Sequence, residues 1–315
     1  MNVSQFISVD WGTTNLRVRL VSTTELNVLS EVVSDMGIKT VFSKWQETQA
    51  DRVNYFLNVL KQKISQLKIV DNNVPIVISG MASSSIGVKE LPYAKLPFDL
   101  KGKSLLVEKV ENLVLENNVF LISGVCSDSD VIRGEEVQVI GLEAGKTEQV
   151  KTTYILPGTH SKHMNCDNSF VTDFKTFMTG ELFDTITKHT ILQNSVTIGE
   201  FHEPNRKAFI NGVKASLNSS VLNTIFSVRA NTLFDRYDPT ENYYYLSGLL
   251  IGEELQQLKN YKGKISLIAS GKLLQLYVTA IEVMGFENRT EVVSAIQSDN
   301  AVVLGQFQIL KNILV

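Results

Sequence analysis

Phe6-Ile7-Ser8-Val9-Asp10-Trp11-Gly12-Thr13-Thr14-Asn15-Leu16-Arg17-Val18-Arg19-Leu20-Val21 is the stretch on which the reading of this chain turns. Residues 6–9 read as a strand, 10–15 as a turn, and 16–21 alternate at period two as a returning strand. A third run, residues 26–33, continues the sheet. The turn gathers groups that suit an anion. Gly12 lets backbone N–H groups approach closely because no Cβ intervenes. Thr13, Thr14 and Asn15 add side-chain donors, and Asp10, at the strand's end, is placed to hold Mg²⁺ through water. An ordinary polar hairpin would use the same residue types, so the turn gains meaning only from what accompanies it.

The companion lies in the second half. Thr153-Tyr154-Ile155-Leu156-Pro157-Gly158 is a strand meeting a turn, Thr159-His160-Ser161-Lys162 is polar, and residues 164–172 suit a returning strand. The logic repeats: Gly158 for approach, Thr159, His160 and Ser161 for hydrogen bonds, Lys162 as a point charge for phosphate. No G-x-x-x-x-G-K-[S/T] loop is present. Between the turns, residues 50–67 carry Val53, Phe56, Leu57, Leu60 and Ile64 on one helical face. Residues 75–80 and 119–124 are buried strands, and 135–142 form a short helix. Beyond the second turn come helical patterns at 176–189, 208 onward, 242–258, 273–284 and 300–314, with a strand at 265–269. Each half thus opens strand, Gly-Thr turn, strand. That layout predicts an α/β protein of two related domains with a ligand cleft between them, divided as 1–145 and 146–315, the last helix packing back on the first domain.

Composition sets the bounds. At 315 residues the chain exceeds what one core comfortably serves. A net charge of -3 without like-charge runs argues against nucleic acid as a partner. The two cysteines, Cys126 and Cys166, have no metal-ligand spacing and form no disulfide framework. Residues 1–9 lack the pattern of a signal peptide, and no apolar run reaches the roughly 20 residues of a spanning helix. A cytoplasmic protein with no membrane partner is expected.

Six segments together resemble one family. They are residues 10–17; Val131-Ile132-Arg133-Gly134-Glu135-Glu136; residues 156–162; Thr176-Phe177-Met178-Thr179-Gly180-Glu181-Leu182-Phe183; Phe226-Ser227-Val228-Arg229; and Leu246-Ser247-Gly248-Leu249-Leu250-Ile251-Gly252. In this order they resemble the 2-dehydro-3-deoxygalactonokinases of the actin/hexokinase superfamily, whose domains are ribonuclease H-like. The resemblance implies transfer of the ATP γ-phosphate to the 6-hydroxyl of 2-dehydro-3-deoxy-D-galactonate with Mg²⁺, in galactonate catabolism. It also implies that the two turns meet the ATP phosphates. The chain departs from the family where a Ser-Arg-Gln-Gly-Trp-like stretch is expected: it carries Gly80-Met81-Ala82-Ser83-Ser84-Ser85-Ile86. His163 stands where the family pattern has Trp.

Candidate roles follow. Related kinases place a carboxylate just before a helix of the first domain, where this chain offers Asp128, Asp130, Glu135 and Glu136; Glu135 is the first candidate for general base and Asp130 the second. The same carboxylates could merely cap the helix. Arg17 and Arg133 are candidates for the substrate carboxylate, or for structural ion pairs, and Met81, Ser83 and Ser84 for the sugar side. Gly248 and Gly271 would let nucleotide lie against backbone, or cap helices. The alternatives are a kinase for another sugar acid, such as 2-dehydro-3-deoxygluconate, and an actin-like nucleotide-binding assembly or regulatory protein. The oligomeric state stays open, a homodimer among the options.

Overall fold

The computed structural model describes residues 3–68, 74–146 and 150–314. They form two compact units. The first comprises residues 1–149, 166–174 and 296–315, and the second 150–165 and 175–295. A single cut at 145 does not separate them, because two later segments belong with the first unit. Part of the polar stretch at 145–150 lies outside the described residues.

The first unit is built on a mixed sheet. Gln5–Trp11, Leu16–Ser22 and Val28–Ser34 form an antiparallel meander, and Ile76–Gly80 and Val119–Ile122 continue parallel to Gln5–Trp11 on its other side, with Val107–Lys109 at the edge. This order, third-second-first and then two parallel strands, is the ribonuclease H-like arrangement that the sequence led us to expect. Ile7, Val9, Trp11, Leu16, Val18 and Leu20 are buried against the helices Ile38–Gln46 and Arg52–Ile64. Asp51 caps the second of these, its carboxylate accepting the Asn54 N–H at 2.9 Å. Register then places Asp10 between Arg17 on one neighbour and Ser79 on the other. The 26–33 run becomes a strand only from Val28, since Leu26 takes a positive φ of 55° in the turn.

In the second unit Thr152–Leu156 lies beside Lys264–Leu267, which pairs with Thr290–Val292, all parallel; Ser161–Asp167 flanks Thr152–Leu156 on its other side. The helices Asn205–Ser216, Pro239–Leu255 and Gly271–Val283 bury Phe209, Val213, Tyr244, Leu255, Leu276 and Tyr277. The expected single strand at 164–172 is two strands, Ser161–Asp167 and Phe170–Phe177, of which residues 166–174 belong to the first unit. The turn at Asn168 and Ser169 has φ of 47° and 74°, the left-handed pair of a tight hairpin. The helix expected from 176 accordingly begins at Thr179.

Candidate functional site

Unit one gathers its polar groups where two strands end. The 12–15 turn closes through the Gly12 N–H donating to the Asn15 carbonyl at 2.9 Å. The first amides of the following helix hold the turn from behind: Gly37, Ile38 and Lys39 donate to the carbonyls of Thr14, Gly12 and Thr13. Gly37 is required there, because a Cβ would fall 2.2 Å from the Thr14 carbonyl carbon. The side chains of Thr13, Thr14 and Asn15 are exposed.

Asp10 sits at the end of its strand. Burial holds its carboxyl above the usual carboxylate range; Arg17 and Arg19 pull it down, and the charge of Glu135 pushes it up. Two positive-φ glycines make room beside it. A Cβ on Gly80 would lie 2.9 Å from the Trp11 carbonyl oxygen and 3.5 Å from Asp10 Oδ1, and one on Gly134 would lie 3.4 Å from the Gly80 Cα. The helix Glu135–Glu143 therefore starts directly over the ends of two strands. Glu135 is half-buried and its Oε2 accepts the Arg133 N–H at 3.1 Å. Glu136 is fully buried; its two oxygens accept the Gly134 N–H at 2.9 and 2.8 Å. Burial first, and then the charge of Glu135, push the Glu136 carboxyl up to about 8.

The remaining candidates of this unit divide. Arg133 Nη1 donates to the Ser83 carbonyl at 2.5 Å and to Ser83 Oγ at 2.6 Å, and its guanidinium lies 4.2 Å from the centre of the Tyr93 ring. Ser84 is buried and donates to the Met81 carbonyl at 2.7 Å, so it shapes its loop; Met81 is half-buried. Arg17 is in an ion cluster: Nη1 donates to Asp299 Oδ1 at 2.8 Å, and the same carboxylate holds Arg19 at 2.8 Å. Asp130 closes a turn, its Oδ1 accepting the Val131 N–H at 2.7 Å.

In unit two the 156–162 segment also divides. Gly158 and Thr159 lie open. His160 Nε2 is 2.5 Å from Glu181 Oε2. Lys162 is mostly buried and donates to the His160 carbonyl at 2.9 Å, bracing its own loop. Ser161 is fully buried and donates inward to Glu254 at 2.7 Å. Gly271, with φ of 55°, opens a helix with free space around its Cα. Gly248 is different: it lies mid-helix, and a Cβ would stand 2.1 Å from the Phe209 carbonyl oxygen. It serves a close helix crossing and neither caps a helix nor faces a pocket.

A pocket of about 180 Å³ adjoins this loop. Its walls include Gly158, Thr179, Gly180, Tyr243, Lys272 and Tyr277. Lys272, which sequence reading missed, stands 5.1 and 4.8 Å from the centres of the Tyr243 and Tyr244 rings. Its signal was its place after Gly271 at a helix start. Of the two rings, that of Tyr244 is buried in the core and that of Tyr243 lines the pocket.

Comparison with known proteins agrees with the fold and the motifs. The family model described as 2-keto-3-deoxy-galactonokinase matches residues 10–309. The chain is 29% identical over 308 residues to the 2-dehydro-3-deoxygalactonokinase of Escherichia coli (strain K12), covering 95% of this chain and 94% of that protein. It is 31% identical over 312 residues to the Rhizobium meliloti (strain 1021) protein named "Probable 2-dehydro-3-deoxygalactonokinase DgoK1", with coverage of 95% and 94%. A crystal structure of a candidate 2-dehydro-3-deoxygalactonokinase from Sinorhizobium meliloti superposes with a TM-score of 0.81 at 29% identity, covering 98% of this chain and 99% of that one. Among the described residues no helix is long and apolar enough to cross a membrane. With a family match running from the first turn to the last helix, the chain belongs to the 2-keto-3-deoxy-galactonokinase family and is a sugar kinase, hence a transferase.

Proposed function

We propose that the chain transfers the γ-phosphoryl group of ATP to the 6-hydroxyl of 2-dehydro-3-deoxy-D-galactonate in sugar-acid breakdown. The names of the curated relatives support the acceptor. The observation that carries the chemistry is the pair Asp10 and Glu135, two carboxylates in one electrostatic neighbourhood at the end of a strand whose turn offers exposed Thr13, Thr14 and Asn15.

Phosphoryl transfer depends on positioning and charge more than on covalent help. Glu135, at a helix start and half-buried, takes the role of base: it orients the 6-hydroxyl and receives its proton. Arg133, already braced on Ser83, keeps guanidinium edge available for the sugar-acid carboxylate. In unit two, Gly158 and Thr159 receive phosphate, while the pocket beside Tyr243 and Lys272 receives the base and ribose of ATP. Among the described residues no group of three or more His, Cys, Asp or Glu could hold a metal. Asp10, a single carboxylate at its strand's end, would hold Mg²⁺ through water, since that ion keeps several waters and takes its other ligands from phosphate. When bound with ATP, Mg²⁺ neutralises charge on the phosphate oxygens. The cytoplasm is the proposed setting, in keeping with Cys126 and Cys166 both being free thiols.

A second reading, a kinase for a different sugar acid, draws on one observation: the loop after Met81 carries Ser83, Ser84 and Ser85 where the family resemblance leads one to expect Arg and Trp. A coupled ADP-release assay on 2-dehydro-3-deoxygalactonate and on its C4 epimer, with galactonate and glucose as controls, decides between them. Turnover of the galactonate-derived acid, with phosphorus coupling to the C6 protons of the product, is expected. The epimer is expected to be discriminated less sharply, since serine side chains are smaller than the Arg and Trp that the family resemblance leads one to expect there. Turnover of another sugar acid alone would retire the named substrate.

A further inference from the structure

Glu254 is 2% exposed and sits one residue from the end of the helix Pro239–Leu255. A buried carboxylate is costly unless its lone pairs are filled, and here both oxygens are. Oε1 accepts Ser161 Oγ at 2.7 Å and lies 2.9 Å from His163 Nε2. Oε2 accepts Thr179 Oγ1 at 2.5 Å and the Tyr277 hydroxyl at 2.7 Å. Burial alone would raise this carboxyl; the hydrogen bond and charge of His163, with Thr179 and Ser161, bring it below the usual range, so it stays ionised.

The four donors come from three separate elements. Ser161 and His163 open the strand that follows the 156–162 loop, Thr179 begins a helix, and Tyr277 belongs to the helix that Lys272 starts. Thr179 and Tyr277 are also walls of the pocket. Loop and helix head touch directly: the Glu181 N–H donates to the Thr159 carbonyl at 3.0 Å, and a Cβ on Gly180 would fall 2.6 Å from the Gly158 oxygen. A displacement of Thr179 therefore moves Gly158 and Thr159.

We propose that Glu254 is a positioning residue for the nucleotide, fixing the phosphate loop, the head of the helix that Thr179 begins and the middle of the helix Gly271–Val283 as one wall of the pocket without itself touching ligand. A hydrophobic group of the same size could fill the space; only a fully accepting group ties four donors from three elements to one point. The proposal rests on the reading of this pocket as the ATP site. It explains why Ser161, a polar residue in a phosphate-type loop, points into the core.

The test compares Glu254→Gln with Ser161→Ala and Tyr277→Phe, using the full chain. Glu254→Gln should raise KM for ATP about tenfold, the loss of one or two charge-assisted hydrogen bonds, while KM for the sugar acid stays within about twofold of wild type. A general loosening of the fold would shift both constants together. An unchanged KM for ATP, or equal rises in both, overturns the proposal. Should Glu254→Gln lose its far-ultraviolet dichroism, the single-donor variants decide. Each removes one partner from a different oxygen, and each should raise KM for ATP roughly threefold to tenfold; no rise in either overturns it. Calorimetric titration with ATP separates this idea from the activity. If wild type binds ATP but phosphorylates no sugar acid, the substrate reading fails, and weaker binding by Glu254→Gln still supports the positioning role. A wild type that binds no ATP sinks it.

Discussion

Glu135 and Glu136 are neighbours in sequence with opposite fates. Helical geometry turns one toward the end of the Asp10 strand and the other into the core, where Gly134 occupies both its oxygens. The proposed role of base therefore goes to Glu135 rather than Glu136. We expect Glu135→Gln to lower kcat about a hundredfold or more, the usual worth of a general base, while Asp130→Asn, which keeps an oxygen for the Val131 N–H, stays within about threefold. Steady-state kinetics with saturating ATP check this, and the reverse order would move the base to Asp130. Glu136 leaves a different signature. Its carboxyl is raised from 4.5 to about 8, so between those values the folded protein holds a proton that the unfolded chain has released. Stability thus falls as pH rises through that window, by at most about 1.4 kcal/mol per pH unit from this group, and levels off above it. Glu136→Gln removes the slope. Its melting temperature relative to wild type should climb from about pH 5 to about pH 8; a constant difference would mean that Glu136 is ionised throughout. Asp10→Asn completes the residue scale: the Mg²⁺ activation curve should shift to higher metal, with KM for the sugar acid little changed. An unmoved curve would make Asp10 structural.

Elements were legible where one strong period dominated and obscure where a turn or helix start was short. The first two strands, the helix Arg52–Ile64 and the strand Ile76–Gly80 follow from alternation, a one-sided stripe or a continuous apolar run. The helix Ile38–Gln46 went unread although Ile38, Val41, Phe42 and Trp45 have helical spacing, because only two of the four are fully buried. The hairpin at Asn168 and Ser169 was missed because its signal is two residues long. Site residues were harder still. Spacing placed Gly158 and Thr159 correctly in an open loop, but it carries no information on which way Ser161 turns, and Glu254, 93 residues later, has no local mark at all. Gly248 shows how a motif glycine misleads: its role is set by a helix 39 residues earlier in the chain, where the Phe209 carbonyl presses against it. Gly248→Ala should therefore cost about 1–3 kcal/mol through overpacking. The melting temperature should drop by roughly 2–4 °C per kcal/mol, with KM values unchanged. A variant that melts like wild type but binds ATP poorly would return Gly248 to the nucleotide.

The molecule as a whole owes its first unit to three separate stretches of chain. Residues 296–315 return to it, and some of their contacts reach its central strands. Gln306 is fully buried and donates to the Val9 carbonyl at 2.9 Å and to Ser79 Oγ at 2.8 Å, bracing Asp10's own strand and one of its two neighbours. Phe307 stacks on Phe6 with ring centres 5.9 Å apart, Asp299 neutralises Arg17 and Arg19, and Asn312 donates to the Lys101 carbonyl at 2.9 Å. Removing the last helix would leave Arg19 with Glu31 alone of its two carboxylates and would strip the buried Gln306 hydrogen bonds from the central strands. Since whole domains are stable by only about 5–15 kcal/mol, that loss together with the uncovered Phe6 face should be decisive. A fragment of residues 1–149 is expected to melt without a cooperative transition by circular dichroism, and to regain one when residues 296–315 are joined to it through a flexible linker. Asp299→Ala in the joined fragment should lower the midpoint without abolishing the transition, because the apolar contacts of Phe307 and the hydrogen bonds of Gln306 remain. If the 1–149 fragment alone melts cooperatively with the same midpoint, the last helix is an accessory to this unit, and the buried Gln306 contacts contribute little to holding Asp10 in place.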